Sequence, residues 1–406
     1  MLGFGLSFNT LFSTSKTIKP LAIITEEFRP SKKGGIATWA HGIANYLGEQ
    51  DQYDVTVLVK KRGGLIANEI PRDLPYRLVF MYGRDWSKFK KWYVSFYCKK
   101  YIKSSNNPII ISATWELSEG LIKHKKKYSF SLITVLHGLE VTRLNSNKYD
   151  KSIPKFIQTI DHSDQVIAVS NYTKNEAISI TGTQKITTIP NFVNTTEFFP
   201  QSISECRNKF QLHHSDKILL SLSRLVKRKG HDIVIRAIQI VKKKIPGIKY
   251  LIAGSGDFPY EKMLKKLVND LGLQSHVHFL GYIEENKKPL LYNASDVYIM
   301  NSLDTDEQGD SEGFGITFLE ANACGKPVIG TNVGGISDAI ENNVNGILVK
   351  PNDANATAEA IIQLFSDQSL YQKLSGNGIS RVNNQFSLSN VGGKYHQIIS
   401  SLSPSY

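Results

Sequence analysis

The chain has 406 residues, 41% hydrophobic and 21% charged, a globular balance that excludes disorder, collagen-like repeats and disulfide scaffolds and predicts two or three domains. Its net charge of +13 is uneven: 27 basic against 15 acidic side chains in residues 1–190, but 22 against 21 in residues 191–406. Such an excess invites an anionic partner (nucleic acid, membrane surface or phosphorylated substrate), and composition alone does not choose among them.

Residues 1–19 read as a loose leader, a poor signal peptide because its first lysine is Lys16 and polar residues interrupt the apolar run. LAIITEEF (21–28) is a strand-like run, followed by a loop with Gly34 and Gly35 and a helical pattern over 36–47. Further strand-like runs are DVTVLVK (54–60), PIIIS (108–112), SLITVLH (131–137) and QVIAVS (165–170). Nearly continuous apolar strands alternating with helices predict a parallel sheet covered on both faces.

Residues 189–200, rich in Pro, Asn and Thr, read as an inter-domain linker. The alternation then restarts: KILLSLSR (217–224), a helix over 232–244, KYLIAG (249–254), a helix over 260–271, VHFLG (277–281), VYIMNS (297–302), a helix opened by Ile316, PVIGT (327–331) and GILV (346–349). A helical tail follows from about Asp353. The expectation is α/β: two tandem Rossmann-like, doubly wound parallel-sheet domains facing a cleft. The first occupies 20–190, the linker 191–200 and the second 201–380, with a C-terminal helix in 381–406 returning to the first. Ligands in such sheets bind beyond the carboxyl ends of the strands.

Cys98, Cys206 and Cys324 are odd in number and lack metal-ligand spacing, which fits a reducing compartment and no zinc site. No run of about 18 apolar residues is present to span a bilayer. The expected location is cytoplasmic, with the cytoplasmic face of a membrane as one alternative.

Four loops carry chemistry. In DSEGFGITFLEANACGKPVIGTNVGG (310–335), Gly313 and Gly315 let the backbone approach a ligand, and Ile316 opens a helix whose free amides suit a phosphate. Glu312 and Glu320 flank that helix start, where each can take a pair of sugar hydroxyls; two solvated surface acids are the alternative. In SRLVKRKG, Arg224 and Lys229 beyond a strand can neutralise a diphosphate leaving group, or form a solvated basic turn. Gly254 in the GSGD turn is a weaker nucleotide-binding signal. Gly34 and Gly35 precede a helix N-terminus, as a phosphate contact or a ligand-free tight turn. His137, in HGLE at the end of a strand, is placed to hydrogen bond a sugar or to serve the core.

These motifs, with IPNFVNTTEFFP (189–200) and HFLGYIEENKKPLLYNASDVYIMNS (278–302), resemble the retaining nucleotide-sugar glycosyltransferases of family four, which have the GT-B fold. The resemblance runs from about Leu21 to the C-terminus and is more specific in the second half. It implies that Arg224 and Lys229 hold the donor diphosphate, that Glu312 and the Phe314, Gly315 and Ile316 backbone bind the transferred sugar, and that Glu320 takes the ribose hydroxyls. It further implies that His137 contacts the donor sugar, that Gly35 borders the phosphates or acceptor, and that the base lies near Tyr282 and Ile283. Asn194 departs from the family's usual Asp, which bears on hinge geometry.

The resemblance implies no cofactor and no metal; Asp304 and Asp306 form an Asp-x-Asp by spacing but read as a solvated acidic loop. The implied partners are a UDP- or GDP-linked sugar in the second domain and a glycan or lipid-linked acceptor in the first, as in surface polysaccharide or lipopolysaccharide synthesis. A sugar-nucleotide epimerase, a glycogen-type synthase and a non-catalytic sugar-nucleotide binder share the architecture. Nucleic acid is not expected as a partner, since no recognised module appears.

In residues 85–103, Trp86, Phe89, Tyr93, Phe96 and Tyr97 share one helical face, with Lys88, Lys91, Lys99 and Lys103 outside it. Aromatics among lysines suit an anionic membrane surface; the alternative is a buried aromatic stripe with a solvated lysine face.

Overall fold

The computed structural model describes residues 18–28, 34–61, 73–83, 86–145, 151–304 and 310–402. Most of the leader, and Asp306, lie outside them.

The first domain is a seven-stranded parallel sheet: β1 (Lys19–Thr25), β2 (Tyr53–Lys60), β3 (Arg77–Met81), β4 (Ile109–Ser112), β5 (Ser131–Leu136), β6 (Gln165–Ala168) and β7 (Ile186–Thr188), in the order β3-β2-β1-β4-β5-β6-β7. Its helices are α1 (Gly35–Gly48), α2 (Trp86–Ser104), α3 (Trp115–Glu119), α4 (Ile122–Lys125), α5 (Leu139–Thr142), α6 (Ile153–His162) and α7 (Asn171–Thr181).

The second domain has six parallel strands: β8 (Lys217–Leu222), β9 (Ile248–Ala253), β10 (Val277–Gly281), β11 (Val297–Met300), β12 (Val328–Thr331) and β13 (Gly346–Val349), ordered β10-β9-β8-β11-β12-β13. Its helices are α8 (Ile203–Lys209), α9 (His231–Val241), α10 (Phe258–Asp270), α11 (Lys288–Ala294), α12 (Ile316–Ala323), α13 (Ile336–Ala339), α14 (Ala354–Ser366) and α15 (Gln368–Arg381); the last helix, α16 (Leu388–Ser401), packs on the first domain.

The architecture follows from the apolar runs. β4 and β11 are buried along their whole length, so each needs helices on both faces. Both sheets reverse strand order beside their first strand, between β1 and β4 and between β8 and β11. A doubly wound sheet opens its ligand crevice at such a reversal. The loops after β1, β4, β8 and β11 therefore converge on the cleft.

One apolar cluster threads both domains, joining Leu21 and Trp39 to Phe318 and Tyr395. The chain crosses between domains twice, and the crossings pair: the Val193 N–H donates to the Phe386 carbonyl (2.9 Å), and the Leu388 N–H to the Val193 carbonyl (3.2 Å). Beyond the second crossing, α16 lies on α1, with the Trp39 indole N–H donating to the Tyr395 hydroxyl at 2.9 Å. Tyr53 and His396 meet at 2.7 Å.

Two strands escape the sequence reading. β3 alternates exposed and covered residues, and β7 has only three residues. Both are edge strands; β7 is too short to show an apolar run, whereas β3 carries one, LVFM (78–81), that the sequence reading passes over. Of the α2 residues singled out in the sequence, the side chains of Trp86 and Lys88 lie outside the described residues. Val94, Cys98 and Ile102 form its buried stripe, Tyr93 and Tyr97 are half-buried, and Phe89, Trp92 and Phe96 are 44%, 59% and 53% exposed. Trp92 stacks on Phe96 with ring centroids 5.7 Å apart.

Candidate active site in the interdomain cleft

After β8 the chain turns through Arg224 and a short 3-10 turn, Lys227–Lys229, into Gly230. Gly230 has φ 63°, and a Cβ there would stand 1.8 Å from the Asn301 carbonyl oxygen, so no other residue fits. The turn after β9 braces this loop. The Leu225 N–H donates to the Ser255 carbonyl (3.1 Å) and the Asp257 N–H to the Leu225 carbonyl (2.9 Å). Gly254 lies against Ser223 in the same brace and donates its N–H to the Gly281 carbonyl at 2.7 Å. Exposed Tyr282 and half-buried Ile283 follow Gly281.

Arg224 and Arg228 line a cavity of about 1210 Å³ together with Asp310, Val333 and, from the first domain, Leu139 and Arg143. Behind it, Glu312 accepts hydrogen bonds from the Arg228 guanidinium (2.9 Å) and the Lys229 ammonium. Burial would raise the Glu312 pKa, but Lys229 and Arg228 outweigh it and hold the carboxyl down to about 2. Burial pulls Lys229 down against the opposing pull of Glu312. Arg224 is lowered by burial and then by Arg228. A dianionic ligand would relieve that crowding of cations.

Gly315 precedes α12, with Ile316 as its first residue, and buried Phe314 packs against Phe386 with centroids 5.9 Å apart. Glu320 is buried, accepts from the Tyr292 hydroxyl at 2.7 Å, and faces a cavity of about 50 Å³ shared with His41 and Phe192. Opposite α12, a Cβ on Gly35 would come 3.6 Å from the Ile316 methyl, and one on Gly34 3.6 Å from the Glu27 carboxylate. The glycine loop and the start of α12 therefore face each other across the cleft.

The domains touch backbone to backbone. A Cβ on Gly138 would stand 2.6 Å from the Gly313 Cα, and one on Gly313 would stand 2.1 Å from the His137 carbonyl oxygen. Gly313 thus admits the neighbouring domain. His137 packs edge-on against Trp39 at 5.0 Å; its Nε2 is sealed from solvent without a hydrogen-bond partner, and burial holds its pKa down to about 3. It is a neutral imidazole. Arg143 pairs with Asp310 at 2.8 Å, and Asp338 accepts from the Asn171 N–H at 3.0 Å and the Asn171 side-chain amide at 2.7 Å.

On the first-domain side, a cavity of about 650 Å³ is lined by Glu26, Glu27, Glu116, Glu119 and Glu140 together with Lys90 and Lys91. Leu139 and Arg143 line both this cavity and the larger one. Glu140 accepts from the His137 N–H. Burial, and then the neighbouring Glu116, push its pKa up to about 7.

The description "Glycosyltransferase Family 4" matches residues 33–197 and "Glycosyl transferases group 1" matches residues 202–381. N-acetyl-alpha-D-glucosaminyl L-malate synthase of Bacillus anthracis is 31% identical over 268 residues, 66% of this chain and 67% of that protein. The chain belongs to glycosyltransferase family four. The GDP-mannose-dependent alpha-(1-6)-phosphatidylinositol monomannoside mannosyltransferase of Mycobacterium tuberculosis is 33% identical to this family-four chain over 211 residues, 51% of the chain and 54% of the relative. The match thus spans about half that relative's length. Sucrose-phosphate synthase of Thermosynechococcus elongatus superposes with a TM-score of 0.80 at 22% identity, covering 95% of this chain and 99% of that one, which shows the shared GT-B fold.

In this family-four chain, Arg224, Lys229, Glu312, Gly313 and the start of α12 gather on one side of the cleft, while Gly35, His137 and Gly138 face them. Glu320 sits deeper, with Tyr292, and Asp304 accepts from the Ser311 hydroxyl at 2.6 Å. Sequence reading missed Arg228, which shares Glu312 with Lys229 from within the same quoted loop. It also missed Glu140, the last residue of HGLE. Glu116 and the Arg143–Asp310 pair carried no local signal, because only the fold brings their partners together.

Proposed function

We propose that this protein transfers a hexosyl group, with retention, from a nucleoside-diphosphate sugar to the hydroxyl of a lipid-linked glycan. The observation that carries the reading is the cavity that presents Arg224 and Arg228 beside the Lys229–Glu312 pair. A diphosphate seated there draws on Arg224 and on cations that Glu312 now occupies. In the transfer step the bond from the anomeric carbon to the diphosphate breaks, the diphosphate keeps the electron pair, and the acceptor oxygen bonds to that carbon. The hydroxyl proton leaves to a diphosphate oxygen. Catalysis then rests on positioning and on charge set against the leaving group. Side-chain cations supply that charge, so the reading needs no metal. The GDP-mannose named for the mycobacterial relative supports a nucleotide-sugar donor. His137, neutral and lacking a partner at Nε2, is available to a donor-sugar hydroxyl once the domains part.

The exposed aromatics of α2 support docking on an anionic membrane. Phe89, Trp92 and Phe96 face outward among Lys91, Lys99, Lys100 and Lys103, and α2 also lends Lys90 and Lys91 to the first-domain cavity. Each lysine near such a surface contributes about 1 kcal/mol. A helix that both touches the membrane and borders the acceptor cavity would present a lipid-anchored acceptor to the cleft.

The test is a thermal-shift panel of UDP- and GDP-linked sugars, since a ligand that binds only the native state raises Tm. A response to none of them sinks the reading. For docking, co-sedimentation with vesicles containing anionic lipid is expected, and equal binding to neutral vesicles would remove the membrane claim.

A further inference from the structure

The loop that carries Arg224, Arg228 and Lys229 leaves β8 at Ser223 and enters α9 at His231. Its two ends are tied by a side-chain contact: the Ser223 hydroxyl lies 3.1 Å from His231 Nε2. The tie continues inward. His231 Nδ1 lies 3.1 Å from the Tyr250 hydroxyl on β9, that hydroxyl lies 2.8 Å from the Ser221 hydroxyl on β8, and Ser221 donates to the Ile299 carbonyl on β11 at 2.5 Å. The contacts therefore link β9, β8 and β11, the three strands around the point where the strand order of the second sheet reverses. Ser221, His231 and Tyr250 are all buried.

The directions of these bonds follow from the protons available. Burial, and then Lys229, hold the His231 pKa down to about 4 against the pull of the Arg224 backbone, so the imidazole is neutral and carries one N–H. Ser221 commits its proton to Ile299, so the Tyr250 O–H donates to Ser221 and its oxygen accepts from His231 Nδ1–H. Nε2 is then an acceptor, and the donor it faces is the Ser223 O–H. Turning that proton to the Arg224 carbonyl, 3.2 Å away, would leave a buried imidazole nitrogen unpaired.

The Arg224 side chain is exposed, so the backbone that carries it sets where its guanidinium points. Other braces hold other parts of the loop: Leu225 is bonded to the turn after β9, and the Arg228 carbonyl accepts from the Leu303 N–H at 2.8 Å. The Ser223–His231 bond is the side-chain brace adjacent to Arg224.

We infer that His231 is a positioning residue for the transfer reaction: it holds Ser223 and, through it, orients Arg224 toward the departing diphosphate. The inference rests on the glycosyltransfer reading above and adds a buried residue that touches no substrate.

The test uses the full chain and the nucleotide sugar that gives the largest thermal shift. Release of nucleoside diphosphate is measured with octyl glycosides of glucose, galactose, mannose and N-acetylglucosamine as acceptors, and with water alone. Ser223→Ala removes the donor to Nε2 and should lower kcat about fivefold, the scale of one hydrogen bond, with the donor KM changed by less than about twofold. In the Arg224→Ala background the same change should cost less than about twofold, because residues that act through one group are not additive. His231→Leu should match Ser223→Ala in kcat and also lower Tm. His231→Gln offers an N–H to Tyr250 and an oxygen to Ser223, and should be at least about threefold faster than His231→Leu. Should His231→Leu fail to fold, Ser223→Ala in the two backgrounds decides. A merely structural role would move Tm and give the same loss with or without Arg224. Wild-type kcat in Ser223→Ala, an equal loss in both backgrounds, or His231→Gln no faster than His231→Leu overturns the inference and leaves the donor reading standing. No donor response, or no diphosphate release with any acceptor, overturns the transfer reading and this inference with it.

Discussion

Two half-buried glutamates on opposite sides of one cleft shift in opposite directions. Burial raises the pKa of both, yet Glu312 ends at about 2 and Glu140 at about 7. The difference lies in the neighbours: Glu312 sits on Lys229 and Arg228, whereas Glu140 faces Glu116. The two domains share one architecture and place strand-end loops at the same kind of switch point. One fills them with cations and the other with carboxylates. The net charge of each domain gives the opposite impression, because the excess of the first domain lies largely on outer surfaces such as α2. Domain charge therefore describes where a protein docks, and pocket charge describes what it binds.

The largest effects should come from breaking the cationic side. Lys229→Ala removes one partner of a buried pair and should destabilise the fold by about 3 kcal/mol, the low end for such a loss because Arg228 still holds Glu312. Urea unfolding monitored by circular dichroism checks this. Arg224→Ala should fold normally and lower turnover by about 2 to 4 kcal/mol of transition-state stabilisation, roughly 30- to 1000-fold. Steady-state kinetics with a responsive donor measures it, and a wild-type rate would remove Arg224 from the diphosphate site.

Those residues were legible in the sequence because their signal is local. Arg224, Lys229 and Gly230 sit in one loop, Glu312 to Glu320 in another, and continuous apolar strands announced both sheets. What was missed is non-local or lacks the pattern. β7 is a three-residue edge strand, and the expected return to the first domain begins at a π-helical turn, Val382–Phe386, that breaks what reads as one helical tail. The contact of Gly313 with the His137 carbonyl could not be read either. A glycine that admits a ligand and one that admits the His137 carbonyl look the same in sequence, and only the closed domains distinguish them.

The contact between the two sides gives the next test. Gly138→Ala places a Cβ 2.6 Å from the Gly313 Cα, at a residue whose φ of 113° already disfavours a side chain. The domains should remain folded but fail to close. Small-angle scattering should show a larger radius of gyration, and turnover should fall while the donor-induced Tm rise persists. An unchanged radius would mean that the loops yield instead of the domains.

The last test separates the two glutamates by pH. The folded pKa of Glu140, about 7, lies above its unfolded value. The native state therefore binds the extra proton between roughly pH 4.5 and pH 7, and stability from this group falls as pH rises through that window, by at most about 1.4 kcal/mol per pH unit. Glu312 runs the other way: its contribution is present above the unfolded carboxylate range and is lost as pH falls toward 2. Buried neutral His137 and His231 also cost stability as pH falls below 6.5, so the wild-type curve mixes these slopes. The difference between Glu140→Gln and wild type isolates one of them. Glutamine keeps an oxygen for the His137 N–H and cannot ionise, so the Tm advantage of the variant should grow from pH 5 to pH 8. A difference that stays flat over that range would mean that Glu140 is ionised without penalty. The first-domain side would then be no more hostile to negative charge than the second-domain side, and the contrast between the two sides of the cleft would fail.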